Sequence, residues 1–314
     1  MKSRLVLLTV LFGVCARSAS AHEGRPPEPH DLWTAWTLEP AVIVGLMLSA
    51  WLYWRGSRRM RKNGAAVHHW ESIAFTGGLL ALVAALVSPL DAMGGALFSA
   101  HMTQHEVLML VAAPLLVFGR PLAPFLLALP AGLRRRLVEA GKANWVKNTW
   151  HLLVNPFVAW LIHAAILWAW HAPLLFQATL ENEWIHAAQH LSFLVSALLF
   201  CEALVHGRAG RLGYGAAVVY LFTTAVHTSV LGALLTFSGT LWYPVYQQTT
   251  PAWGLTPMDD QQLGGLIMWV PAGLVYIVAG LVLFTLWLRE SERAVVRREK
   301  RVRGLAELTG RSES

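Results

Sequence analysis

Charge is scarce in this sequence. Asp, Glu, Lys and Arg supply 14% of its 314 residues, where a soluble domain carries about 25%. With 55% hydrophobic residues, that shortage excludes an ordinary soluble fold and points to a bilayer. Cysteine is nearly absent, with only Cys15 and Cys201. Cys15 falls in a stretch that reads as a removable leader, so one thiol remains, and intrachain disulfides and thiolate metal clusters are excluded. Also missing are a serine or cysteine nucleophile arrangement, a glycine loop for phosphate and paired catalytic carboxylates, so the expectation is a protein that is not an enzyme. Lys and Arg are absent from three segments, 91–96, 172–183 and 238–262.

What is present is a set of long apolar runs, at 38–54, 70–90, 97–118, 150–171, 184–205, 214–237 and 263–288. Each approaches the ~20 residues that cross a hydrocarbon core as a helix. The expected fold is all-α, a polytopic membrane protein with about seven transmembrane helices over 38–288. Residues 1–21 read as a signal peptide: basic Lys2 and Arg4, a short apolar run from Leu5 to Val14, and a small-residue cleavage signal, Ala19-Ser20-Ala21. A polar, proline-bearing lead follows at 22–37, and a basic tail at 289–314 is expected to be solvated and partly disordered. Arg134 to Lys147 suits an amphipathic surface helix. In the 238–262 loop, Trp242, Tyr243, Tyr246 and Trp253 suit an interfacial aromatic belt.

The basic residues set an orientation. Arg and Lys crowd 55–69, 119–149, 206–213 and the tail, which the positive-inside rule places in the cytoplasm. The expected location is a bacterial inner membrane, with the N-terminus periplasmic and the C-terminus cytoplasmic. The net charge of +7 then orients the chain against anionic lipid and implies no nucleic-acid partner.

Ionisable residues inside a bilayer are costly and mark function. Here they are mostly histidines. His101 and His105 open the third run, His163 and His171 lie on the fourth, His186 and His190 open the fifth, and His227 lies on the sixth. At 1.5 Å per residue, His105, His163 and His190 lie roughly 9–12 Å from the outer end of their runs, and His227 about 15 Å. They form an expected inner tier, with His101, His171 and His186 as an outer tier above. The two H-x-x-x-H pairs each place both rings on one helical face. Imidazole suits copper, zinc, iron or nickel, and thioethers add affinity for Cu(I). Met102 and Met109 are therefore candidate ligands, with Met258 and Met268 as further thioethers near the seventh run. Glu106 is expected to pair with a histidine or to act as a hard ligand. Asp259 and Asp260 fit the start of the seventh helix. Cleavage after Ala21 would also expose His22 with a free α-amine, a Cu(II) chelate.

With these residues in place, the chain resembles the CtaG-like family of caa(3)-type cytochrome c oxidase assembly factors. The similarity lies in His101-Met102-Thr103-Gln104-His105, in Leu108 to Leu116, in the His186 and His190 pair, in His227, in Leu241 to Tyr246 and in Asp260 to Trp269. Glu106 departs from the apolar residue expected there. The resemblance implies a chaperone role in maturing a haem–copper oxidase, by helping copper reach its CuB centre. The partners it implies are oxidase subunit I and a periplasmic copper chaperone, besides membrane lipid. The alternative is a b-type haem electron carrier, with His105/His190 or His163/His227 as axial pairs. A di-iron oxidase would need more histidines, and a transporter would need polar residues through both membrane halves.

Overall fold

A computed structural model of the chain describes residues 26–65, 67–206 and 213–312. The expected leader, its cleavage site, His22, and Arg208 and Arg211 lie outside these residues. Every element among the described residues is helical.

Prolines and short polar side chains set the helix starts. α1 (Pro40–Lys62) opens on Pro40, whose fixed φ is already helical. It ends at Asn63, ahead of Gly64 at φ 75°. α2 spans His69–Leu86. Ser88 Oγ accepts from the Leu90 N–H at 3.2 Å and starts the short α3, Pro89–Gly94. α4 is Phe98–Phe118. Its Val107–Ala112 stretch is π-helical and lies just ahead of Pro114, which removes a backbone donor from the regular ladder.

Three short helices follow: α5 (Leu122–Ala128), α6 (Ala131–Ala140) and α7 (Asn144–Leu153). The single amphipathic helix expected over 134–147 is thus two helices, parted at Gly141, a weak helix former. α8 is Pro156–His171, with Asn155 Oδ1 accepting from the Phe157 and Val158 N–H groups at 3.1 and 3.4 Å. The run expected to cross straight over 150–171 therefore bends by 66° between α7 and α8, because Pro156 can only begin a new helix. α9 (Pro173–Glu181) is an extra helix in the 172–183 segment. Asn182 then caps α10 (Glu183–His206), accepting from Trp184 at 2.9 Å. α11 spans Tyr214–Thr236, and α12 spans Pro257–Ser312. The tail expected to be partly disordered continues α12 as helix.

Among the described residues, α2, α4, α10, α11 and α12 are long and apolar enough to cross a membrane, 5 candidate spans, or 6 if α7 and α8 form one bent span. α1 has 23 residues but falls outside that set, because Arg55, Arg58, Arg59, Arg61 and Lys62 make its second half basic.

Glycines bring the spans together. A Cβ on Gly265 of α12 would lie 2.8 Å from the Gly232 carbonyl oxygen of α11, and one on Gly264 would lie 2.3 Å from the Phe98 ring of α4. The largest apolar core forms around Met102, Leu108 and Met109 of α4, with Phe176, Phe193 and Met268 from the surrounding helices. At the basic end, Arg59 Nη1 donates to the carbonyls of Leu127, Ala128 and Leu129 at 2.7, 3.1 and 3.2 Å, a cation on the open C-terminus of α5. Glu71, buried there, pairs with Arg120 at 3.3 Å.

Candidate functional site

At the opposite end, where α4 and α10 begin and α8 ends, four buried histidines and the half-buried His186 crowd together. The two four-residue spacings fold into contact as expected: ring centroids are 4.5 Å apart for His101 and His105, and 4.2 Å for His186 and His190. The pairs face each other, with His101–His186 at 5.3 Å and His105–His190 at 5.4 Å. His171, from the last turn of α8, joins with its ring 6.3 Å from His105. His101, His186 and His190 each offer a nitrogen, all within 4.8 Å of one another. His101 is 0% exposed, His105 1% and His171 2%.

The hydrogen bonds of these rings assign their lone pairs. The Gly94 carbonyl accepts from His101 Nδ1 at 3.3 Å, which leaves Nε2 unprotonated in the neutral ring. The Gln189 side-chain amide lies 3.1 Å from that Nε2. Its own NH2 otherwise has no partner, so turning the amide to donate satisfies both groups. Both nitrogens of His105, and the Nε2 atoms of His186 and His190, are buried without a hydrogen-bond partner. Buried polar atoms are normally paired. A converging set of unpaired imidazole nitrogens is the donor set that a borderline or soft cation takes up.

A frame of polar contacts holds the helices that carry these rings. Asp260 lies in the first turn of its own helix, as expected, and also caps α4. Its carboxylate accepts from the Phe98 N–H at 2.6 Å, the Ser99 N–H at 3.1 Å and Ser99 Oγ at 2.5 Å, and α4 has no side-chain cap of its own. Asp259 caps locally, accepting from Thr256 Oγ1 at 2.6 Å. Gln104, between the two α4 histidines, donates to the Ala85 carbonyl at 2.7 Å and to Asp91 at 2.5 Å.

The loop after α11 covers the cluster. Tyr243 and Tyr246, expected in an interfacial belt, are each 2% exposed. Tyr243 Oη donates to the His171 carbonyl and Tyr246 Oη to the Gly94 carbonyl, both at 2.8 Å. Tyr243 also stacks on Phe98 at 4.6 Å and meets Phe176 at 4.4 Å. The correction has a plain cause: an aromatic ring with a polar tip suits a lipid interface and a sealed polar site equally.

His163 and His227 stand apart from the five. His163 Nδ1 lies 3.1 Å from Ser196 Oγ, and Ser196 is six residues beyond His190, about 9 Å along α10. His227 meets Trp160 edge-on at 5.4 Å, with both ring nitrogens unpartnered. The two expected tiers thus regroup. His105, His190, His101, His186 and His171 form one site with Met102 beside it, and His163 and His227 contact other side chains. Met109 packs in the apolar core. Glu106 lies about 100° round the helix from His105, and one of its carboxylate oxygens is buried and unpartnered. Sequence reasoning missed Gln189, Asp260 and the two tyrosines as parts of the site. The i+3 position of Gln189 from His186 was the one local signal.

The family model for the cytochrome c oxidase caa3 assembly factor (Caa3_CtaG) matches residues 51–290. The chain belongs to this family. The matched stretch holds all five clustered histidines, the covering tyrosines and Asp260. Among curated relatives, uncharacterized proteins of Mycobacterium bovis and Mycobacterium tuberculosis are each 29% identical over 286 residues, covering 88% of this chain and 43% of theirs. One from Mycobacterium leprae is 26% identical over 285 residues, with the same coverage. The chain therefore spans less than half the length of these relatives. No solved structure matches it.

Proposed function

We propose that this chain is a non-enzymatic assembly factor that holds copper in transit to the CuB centre of a haem–copper cytochrome c oxidase, with His101, His186 and His190 as the holding ligands. The observation that carries the reading is the approach of nitrogens of His101, His186 and His190 to within 4.8 Å of one another, the Nε2 atoms of His186 and His190 being buried without hydrogen-bond partners and that of His101 meeting only the Gln189 amide. CuB is itself held by histidines within the membrane, so a donor site at similar depth allows transfer by exchange of like ligands. The proposed setting is the bacterial inner membrane, with the histidine end outward and the basic end inward under the positive-inside rule. α1 completes seven spans, its arginines reaching the inner interface. The partners are oxidase subunit I and a periplasmic copper donor.

At the His105/His190 pair, copper is preferred over haem b. A haem between two axial imidazoles needs room for its macrocycle around the iron. His105 already meets Phe193 at 4.5 Å and His101 at 4.5 Å, so side chains fill the slot that a haem would require.

The test is oxidase copper content in membranes of cells carrying His186→Ala or His190→Ala. Both variants should remain in the membrane while CuB occupancy and oxidase turnover fall by roughly tenfold or more, as loss of a ligand weakens metal binding by at least the effect of losing an outer-shell partner. Full oxidase copper in both variants would remove the proposal.

A further inference from the structure

His171 faces an unusual neighbour beside the proposed holding site. Its Nδ1 lies 2.7 Å from the Leu167 carbonyl oxygen, and a carbonyl can only accept, so Nδ1 carries the proton. In the neutral ring Nε2 then carries a lone pair. That Nε2 lies 3.4 Å from the Met102 sulfur, which is also a lone-pair donor without a proton. Two donors of electron density thus point at each other in a site where Met102 is 0% exposed and His171 2% exposed. Such a pair calls for a positive charge that both can share.

The separation matches a metal's bite. With nitrogen and sulfur bonds of about 2.05 and 2.3 Å to a first-row d10 ion, a 3.4 Å edge subtends about 103° at the ion, close to tetrahedral. Nearby, His105 has both nitrogens buried and unpartnered. Its ring lies 6.3 Å from His171 and 4.5 Å from His101, so it stands between this pair and the three-histidine group. Ring orientation is fixed from outside, since the Leu167 carbonyl holds His171 on one side and Tyr243 holds the backbone carbonyl of His171 on the other. Orienting contacts of this kind are what fix a metal-ligating imidazole.

We infer that His171 and Met102, with His105 as third ligand, form a second metal station for a soft monovalent ion such as Cu(I). It is distinct from the all-nitrogen group of His101, His186 and His190, and His105 links the two. A thioether favours Cu(I) over Cu(II) and over harder ions, so the second station selects the reduced ion while the first accepts either state. The inference rests on the reading that this chain carries copper, and it fails separately from it.

The experiment uses the full chain purified in detergent, loaded with Cu(I) under anaerobic conditions. Stoichiometry is read by competition with a Cu(I) chelator, and ligand type by X-ray absorption. Wild type should hold two ions per chain, with a sulfur scatterer near ~2.3 Å. Met102→Leu conserves volume, and should hold one ion with no sulfur. Met109→Leu, the same change elsewhere on the buried helix, should behave as wild type. His186→Ala should keep the sulfur-bound ion. One ion bound only by nitrogen, indifferent to Met102→Leu, would overturn the second station and leave the holding site standing. A sulfur-bound ion that persists in His186→Ala, together with normal oxidase copper in that variant, would do the reverse. An apo wild type under these conditions would overturn both.

Discussion

Asp260 and Asp91 are the two carboxylates that frame the histidine end, and they act differently. Asp260 supplies the acceptors that α4 lacks at its start, through three contacts to Phe98 and Ser99. Asp260→Ala leaves those donors open in a buried place, and a lost cap with charged hydrogen bonds costs about 2 kcal/mol. Thermal unfolding in detergent should show that loss, and because α4 carries His101 and His105, affinity at the proposed copper site should fall with it. Asp91 has a different signature. Burial pushes its carboxyl up to about 6, against hydrogen bonds that lower it, the one from Gln104 among them. The unfolded chain releases this proton near pH ~4, whereas the folded chain keeps it until about 6. The folded state therefore binds more protons in that window, and stability falls as pH rises from ~4 to ~6 before levelling. Asp91→Asn should flatten that part of the pH profile. An unchanged profile would mean that Asp91 is not the group responsible.

Among the elements, the crossing of α11 and α12 is a tight joint of backbone on backbone. A side chain at Gly265 would press on Thr236 at 2.6 Å and on the Gly232 backbone, so Gly265→Ala should cost about 3 kcal/mol as overpacking. Gly280, further along the same helix, has open space where a Cβ would point, and Gly280→Ala should be neutral or stabilise by up to ~1 kcal/mol. Melting curves of the two variants read the contrast directly. Elements of this kind were largely legible in sequence, because hydropathy is a local signal. The bend at Pro156 and the break at Gly141 also had local signals, but hydropathy averages over them. The four-residue histidine spacings were legible for the same reason, as a helix turns them into neighbours. Asp260 on α4 was not legible, since it acts 162 positions from Phe98. The tyrosines were misassigned because a belt residue and a cover residue share one composition.

For the whole molecule, the proposed orientation has a direct check. Alkaline phosphatase fused after Trp253 should be active, and the same reporter fused after Lys142 should be silent. The reverse pattern would turn the proposed copper route to face the cytoplasm. α12 crosses this architecture in one piece: its first turn braces α4 through Asp260, and its far end extends well past the apolar stretch. The covering loop has a consequence in time. At the proposed copper site, donors beneath Tyr243 and Tyr246 would exchange an ion no faster than two hydrogen bonds and a stacked aromatic layer come apart. Affinity and residence are thereby assigned to different parts of the chain, histidines for the first and tyrosines for the second. Tyr243→Phe should shorten the dwell time of bound Cu(I), read as faster loss to a chelator, while leaving the equilibrium stoichiometry as it was.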